Sequence, residues 1–393
     1  MKLNFEEIYN KTFQETELVE IRRDLHRNPD PGLKEFRTQA KICEYLDNWG
    51  VSYKKIAGTG VIADFKGKYP GKNIGLRADI DALPVTEQND FEFKSQVEGM
   101  MHACGHDIHT TILLGAAKAL ASLKGEFAGF IRLIFQPGEE MYGGARYMIK
   151  DGCLENPHLD HVFGLHVHPQ FPVGVIGLKY DTVCAATNAF DITIHGKSSH
   201  AAMPENGIDP IVMAANMIVA AQTVVSRNTS AQDSALITFG NIHGGSVRNQ
   251  VPDSVSCQGT IRTLTPQVRQ KTIDRFKAVL TGMASSFGGT VDISIPSGYD
   301  PLIVDNDTVD KVRAIASELI GDENIIMEKE AQMYGEDFAY YANEVPSVFY
   351  HLGCKQTEGE TERLHNSRFN PSEDCIPVGV KLQLAVALTM ASE

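Results

Sequence analysis

Apolar residues recur at near-helical spacing along residues 5–27, where Phe5, Ile8, Phe13, Val19, Ile21 and Leu25 mark one stripe, until the proline and glycine cluster at 28–32 breaks it. A second helical pattern fills residues 33–49 and stops at Gly50. Short β-rich runs follow at 51–56, 61–65 and 73–78. The last of them empties into Arg77, Asp79, Asp81 and Pro84, a polar cluster of the kind found just past a strand. Residues 108–123 are apolar, Ala-rich and helical in spacing, and a strand at 129–135 then stops at Gln136, Pro137, Gly138, Glu139 and Glu140. A short helix to residue 151 and an apolar run at 162–165 come next, the run leading into His166, Val167, His168 and Pro169. Strands alternating with helices imply an α/β domain, a largely parallel sheet with helices on both faces. In such sheets the functional crevice lies beyond the carboxyl ends of the strands, and Asp79, Glu139, Glu140 and His166 all fall at such ends.

The pattern changes at residues 183–188. Phe190, Ile192 and Ile194 alternate as in a half-buried strand, a long apolar helix covers 209–227, and strands read at 235–239 and 254–262. A helix at 266–287 and a strand at 290–295 complete a β-α-β-β-α-β order, the ferredoxin-like split unit. The expected organisation is therefore a mostly parallel-sheet domain made of residues 1–186 and 298–393, interrupted by an inserted α+β domain at 187–297. Helix, strand and helix signals at 307–319, 348–352 and 377–392 complete the first domain.

A chain of 393 residues is long enough for two domains, each with a sizeable core. Its 42% hydrophobic and 22% charged residues are those of a globular protein, and no run approaches the roughly 20 apolar residues that span a bilayer. The first ten residues are acidic and lack an apolar signal core, so a cytoplasmic location is expected. Seven scattered cysteines fit reduced thiols better than a disulfide framework, which leaves a cysteine available to a metal. A net charge of −14 argues against a nucleic-acid partner. No membrane partner is expected either.

The densest chemistry lies in residues 100–110, MMHACGHDIHT, which hold His102, Cys104, His106, Asp107 and His109 at the entrance to a helix. Gly105 lets the cysteine and histidine beside it turn toward one point. Hydrolytic metal sites use Cys, His, Asp and Glu and keep a position open for water. The candidates are Cys104, His106, Glu140 and His166, with His351 or His365 to close the set. Neighbouring residues past a strand point in different directions, so of Glu139 and Glu140 one can ligate while the other faces substrate as a general base. Taken singly, each motif reads as a satisfied polar cluster, and Cys104 as a small core residue; the joint occurrence favours a metal site. His102, His109 and His168 read as supporting neighbours, and Asp79 and Asp81 equally well as turn residues or as carboxylates orienting a ligand. The polar loop Ser198, Ser199, His200, Pro204, Asn206 and Gly207 reads by itself as turn chemistry.

Taken together, RADIDALP (77–84), MHACGHD (101–107), GEE (138–140), HVHP (166–169), GKSSHAAMPENGIDP (196–210) and GEDF (335–338) resemble the aminoacylase and carboxypeptidase-G-like metallopeptidase family over essentially the whole chain. The closer resemblance is to its amidohydrolase branch, which includes hippurate hydrolases, auxin-conjugate hydrolases and N-acetyl-diaminopimelate deacetylases. The resemblance implies a metallopeptidase catalytic domain with an inserted lid and dimerisation domain. It also implies a two-metal centre of Zn2+ or Mn2+ held by Cys104, His106, Glu140, His166 and His365, with Glu139 as general base. His200 would reach the partner subunit's active site in a homodimer and polarise the scissile carbonyl, and Asn249 and Arg262 would contact substrate. In one respect the chain departs from the wider family: Arg77, Ala78 and Asp79 stand where many relatives carry an HxD pair, so Cys104 would substitute for a missing histidine.

The expected activity is metal-dependent hydrolysis of the amide of an N-acyl amino acid to a carboxylic acid and a free amino acid. A dipeptidase or carboxypeptidase would use the same chemistry on a short peptide. A scaffold that had lost its metals is the reading from another class, and the intact ligand set speaks against it. A zinc nucleoside deaminase would need a PCxxC motif that the chain lacks.

Overall fold

The computed structural model describes residues 4–14, 16–357 and 361–393. The chain divides into two compact units. One is built from residues up to Asp181 together with Ile303–Lys329 and Tyr340–Glu393, the other from Thr182–Leu302 with Glu330–Ala339. The second unit reaches beyond the expected 187–297 because the strand Thr182–Cys184 is tied to residues 332–334: Cys184 bridges to Gln332, and the Ala185 N–H donates to the Gln332 and Tyr334 carbonyls.

The first unit is organised on an eight-stranded mixed sheet whose centre is four parallel strands, Ala128–Gln136, Tyr69–Asp79, His161–Pro172 and Ser347–Lys355, in that order. Tyr69–Asp79, Ala128–Gln136 and Ser347–Lys355 are buried almost without a break toward their carboxyl ends and His161–Pro172 over residues 162–167, as expected of strands covered on both faces. Tyr53–Ile56 and Gly60–Lys66 flank the sheet as antiparallel strands. Asp79 pairs with Gln136, Arg77 with Gly164 and His351 with His166. Continuing that register by two residues sets Gln136, Asp79, His166 and His351 on one rung at the carboxyl end of the sheet. The helices His106–Ser122 and Cys375–Ala391 pack on each other and on the strand Tyr69–Asp79, and most residues of both are buried.

Three differences from the sequence reading matter here. The N-terminal pattern is two helices, Phe5–Thr12 and Glu17–Arg27. The next helix begins at Phe36, not 33, because Leu33 takes a left-handed conformation (φ 59°). The segment after Gln136 is broken at Gly143 (φ 62°) into Glu139–Tyr142 and Gly144–Lys150, and a Cβ at Gly144 would lie 1.5 Å from the Pro137 carbonyl oxygen.

The second unit has a four-stranded antiparallel sheet in the order Ala235–Gly244, Ser254–Thr263, Ala186–His195, Thr290–Ser294. With the helices Pro210–Thr223 and Pro266–Ser286 this is the ferredoxin-like arrangement. Both helices start on a capping side chain followed by proline, Asp209–Pro210 and Thr265–Pro266. No apolar run of bilayer length was expected, yet Pro210–Asn228, 19 residues, is long and apolar enough to cross a membrane by length and composition. Burial of Met213, Ala214, Met217, Ala221 and Val224 in the core of the unit accounts for much of that apolarity. Ile211, Val212 and Val219 of the same helix are exposed.

Candidate metal centre

The centre is assembled in the first unit where strand ends meet a helix start. Gly105 (φ 89°) precedes the helix His106–Ser122, and its left-handed turn aims Cys104 and His106 at the same place. The Cys104 Sγ lies 3.3 Å from His166 Nε2, and the His166 Nδ1 hydrogen bonds the Val167 carbonyl (2.8 Å), which leaves Nε2 as the lone-pair nitrogen. His106 is oriented in the same manner by the Asp81 carbonyl, 2.9 Å from its Nδ1. Its Nε2 stands 3.8 Å from Glu140 Oε1, and His365 Nε2 stands 3.4 Å from that same oxygen. His365 sits on a loop with left-handed backbone (φ 65°), fixed by its N–H to the Ala103 carbonyl.

Donor atoms of Cys104, His106 and His166 lie within 4.8 Å of one another, as do those of Cys104, Glu140 and His365 and those of His106, Glu139 and Glu140. The five residues expected as ligands are thus gathered, with Glu139 beside them. His365, not His351, joins this set: its Nε2 reaches Glu140 Oε1, whereas His351 lies in none of these groups and bonds Glu328 Oε1 through Nδ1 at 2.6 Å. His109 stands near as well, but both its nitrogens are used: Nδ1 donates to Asp79 Oδ1 (2.6 Å) and Nε2 accepts from the Val167 N–H (2.9 Å). The other Asp79 oxygen takes Arg77 (2.7 Å). Asp79 and His109 therefore serve to hold the wall of the site, and the Arg77–Asp79 position is filled by an internal ion pair.

Asp81 has a role that spacing left open. Its Oδ1 accepts the Glu139 N–H (3.1 Å) and its Oδ2 the Glu140 N–H (3.0 Å), so one buried carboxylate grips the backbone of both glutamates. Glu35 has no ligand-like neighbours in sequence, and reading by motif passes over it. It accepts the Gly138 N–H just upstream at 2.8 Å.

The electrostatics suit a cation. Burial raises the Cys104 thiol well above its usual range, and Glu140, Glu139 and Asp79 raise it further, so a neighbouring positive charge is what would ionise it. Burial opposes a charge on His106, but Asp79, Asp81 and Glu140 push its pKa up to about 10, the mark of a strongly negative spot. Burial, followed by His109, holds His166 well below its ordinary value, in the neutral form that ligates. The buried His106 Nε2 and Glu140 Oε1 make no hydrogen bond among the described residues. Two such atoms facing one point, beside a thiol and a neutral imidazole, fit a divalent cation.

The remaining candidates belong to the second unit. His200 lies on a two-residue strand, Ser199–His200, paired with Gln250–Val251, and Asn249 is next to it, its carbonyl accepting the Ala201 N–H. Both residues are exposed. Arg262 is half-buried on the strand Ser254–Thr263, opposite Leu236 and Thr187, at the other end of that strand from the ribbon.

Residues 75–389 match the family model described as Peptidase family M20/M25/M40. An N-acetyl-L-cysteine deacetylase of Bacillus subtilis is 41% identical over 93% of this chain and 86% of its own. A thermostable carboxypeptidase of Saccharolobus solfataricus is 35% identical over 96% of each. Among solved structures, a dinuclear metal-binding M20 peptidase from Bacillus subtilis superposes with a TM-score of 0.84 at 31% identity, over 98% of this chain and 99% of that one. With that much of both sequence and fold accounted for, the chain belongs to peptidase family M20/M25/M40.

Proposed function

We propose that this chain is a metal-dependent amidohydrolase that cleaves N-acyl amino acids, using two divalent cations held by Cys104, His106, Glu140, His166 and His365. The observation that carries the reading is the pair of buried donor atoms His106 Nε2 and Glu140 Oε1, 3.8 Å apart and without a hydrogen bond among the described residues, with Glu139 adjoining them. A thiolate ligand favours Zn2+, and imidazole and carboxylate also admit Mn2+. When bound, the cations supply Lewis acidity that polarises the scissile carbonyl and acidifies the attacking water. Glu139 takes the proton from that water and passes it to the leaving amine nitrogen, so the carboxylate is regenerated in each turnover. Asp81 keeps Glu139 and Glu140 in their divided roles by holding both amides.

The partner subunit's His200 donates to the carbonyl oxygen in a homodimer formed through the second unit. In support, the Ala202 N–H donates to His200 Nδ1 (3.0 Å), which places the ring proton on Nε2. The exposed Ile211, Val212 and Val219 and the edge strand Ala235–Gly244 supply an apolar face and unpaired backbone for a second copy. Asn249 and Arg262 contact substrate, Arg262 as the partner of its carboxylate. All seven cysteines are unpaired thiols, in keeping with a cytoplasmic location.

The acyl-amino-acid reading draws support from the deacetylase likeness, and the carboxypeptidase likeness names its rival. A panel of N-acetyl amino acids and dipeptides, assayed on one preparation with added Zn2+ or Mn2+, separates the two. Turnover of N-acetyl amino acids well above that of dipeptides is expected. The reverse order would overturn the assignment.

A further inference from the structure

The turn that presents Glu139 and Glu140 begins in a conformation that needs support from outside itself. Gly138 has φ 63°, and Leu33, which packs against it, has φ 59°, a left-handed backbone that a residue with a branched side chain rarely adopts. A Cβ at Gly138 would lie 2.8 Å from Leu33 Cδ2, so the two loops are pressed together. Glu35 touches both. Its Oε1 accepts the Leu33 N–H (2.8 Å) and the Gly138 N–H (2.8 Å), and its Oε2 bonds the Thr59 hydroxyl. The side chain is fully buried. The loop it belongs to is tied to the other side of the site through the Asp30 carbonyl, which accepts the Ala82 N–H next to Asp81.

We infer that Glu35 is a positioning residue for the catalytic turn: by clamping the Leu33 and Gly138 amides on one oxygen, it fixes the start of the segment whose next two amides Asp81 holds, and so sets cation affinity and turnover. This rests on the proposed roles of Glu139 and Glu140. Strain kept in place by a buried side chain is found where geometry has to be exact to function, and here three successive amides, 138 to 140, are each held by a buried carboxyl group. Burial, opposed by the Thr59 hydrogen bond, raises the Glu35 pKa to about 7. Glutamine keeps the oxygen that accepts both amides, and its NH2 group, in place of the Oε2 that accepts from Thr59, can donate to the Thr59 hydroxyl oxygen once that hydroxyl turns.

The test compares Glu35→Ala, Glu35→Asp and Glu35→Gln with the unaltered protein by three readouts. These are hydrogen exchange of the segment 137–143 in cation-free protein, Zn2+ affinity by chelator competition, and kcat and KM on an N-acetyl amino acid. Leaving a buried amide unpaired is expected to speed exchange in that segment and to weaken Zn2+ binding and kcat by roughly tenfold or more in E35A and E35D, with KM little changed. E35Q is expected to restore all three to within about threefold. If E35A does not fold, E35D decides, since it keeps the carboxyl group but withdraws it by one methylene. Exchange in 137–143 equal to that of the unaltered protein in both E35A and E35D would overturn the inference, as would a loss of thermal stability without change in Zn2+ affinity or kcat. Failure of the unaltered protein to bind Zn2+ or hydrolyse the substrate would instead refute the proposed function, and the exchange data would still decide the clamp.

Discussion

At the scale of single residues, the site divides labour by which atoms are already spoken for. Both nitrogens of His109 and both oxygens of Asp79 are hydrogen-bonded, whereas His106 Nε2 and Glu140 Oε1 make no hydrogen bond among the described residues. Glu139→Gln is therefore expected to keep cation stoichiometry, measured by elemental analysis, and to lower kcat by about 10²- to 10⁴-fold. Retained turnover would remove Glu139 as the base. Glu35 also makes a pH prediction. Burial raises its folded pKa from the ordinary carboxylate value of 4.5 to about 7, so the folded state binds the extra proton. Stability from this group is fully present below pH 4.5 and is lost as pH rises through 7, on the order of 3 kcal/mol in all. Denaturant unfolding of cation-free protein should show that decline in the unaltered chain and a flatter profile in E35Q. Parallel profiles would show that Glu35 is ionised in the fold across that range.

At the scale of elements, the decisive feature is the entry to the helix His106–Ser122. Gly105 sits at φ 89°, and a Cβ there would lie 2.5 Å from Val167 Cγ2, beside His166. Gly105→Ala combines left-handed strain of about 1–2 kcal/mol with a clash into a buried strand, so it should lower both thermal stability and Zn2+ affinity. A loss of stability with unchanged affinity would mean that Cys104 and His106 keep their aim without the glycine. The helix–strand frame behind this turn is reinforced by a buried ion pair between Arg22 Nε and Asp107 Oδ2 (2.9 Å) and by His26 Nδ1 to the same oxygen (2.7 Å). Removing one partner of such a pair leaves a charge buried and alone, so the helices Glu17–Arg27 and His106–Ser122 are locked by more than apolar contact.

At the scale of the whole molecule, the second unit carries an apolar helix face that its own core does not use. Val219 is 72% exposed, and a charged substitution there should leave the folded subunit nearly as stable, within about 0.5 kcal/mol. If the proposed homodimer forms through this face, Val219→Asp is expected to sediment as a monomer and, because His200 would then act on no partner, to lose turnover. A monomer with full activity would sink the proposed role of His200 across subunits.

Sequence alone determined the α/β class, the ferredoxin-like insertion and the local pair of candidate donors Cys104 and His106, since each is written in short-range spacing: strand and helix periods, and two donors around one glycine at a helix start. It also singled out Glu139 and Glu140 at a strand end. Periodicity carries no record of long-range hydrogen bonds, so what remained open was decided by the tertiary structure. His365 joins the candidate donors beside Glu140, while His351, on the same rung as His166, lies apart from them and bonds Glu328. Asp81 passes from a turn residue to the grip on two glutamate amides. Glu35, 103 residues from the glycine it holds, gains its meaning only when a left-handed leucine brings its loop against that turn. Spacing names which side chains could bind a cation; only the folded backbone decides which of their atoms are left to do so.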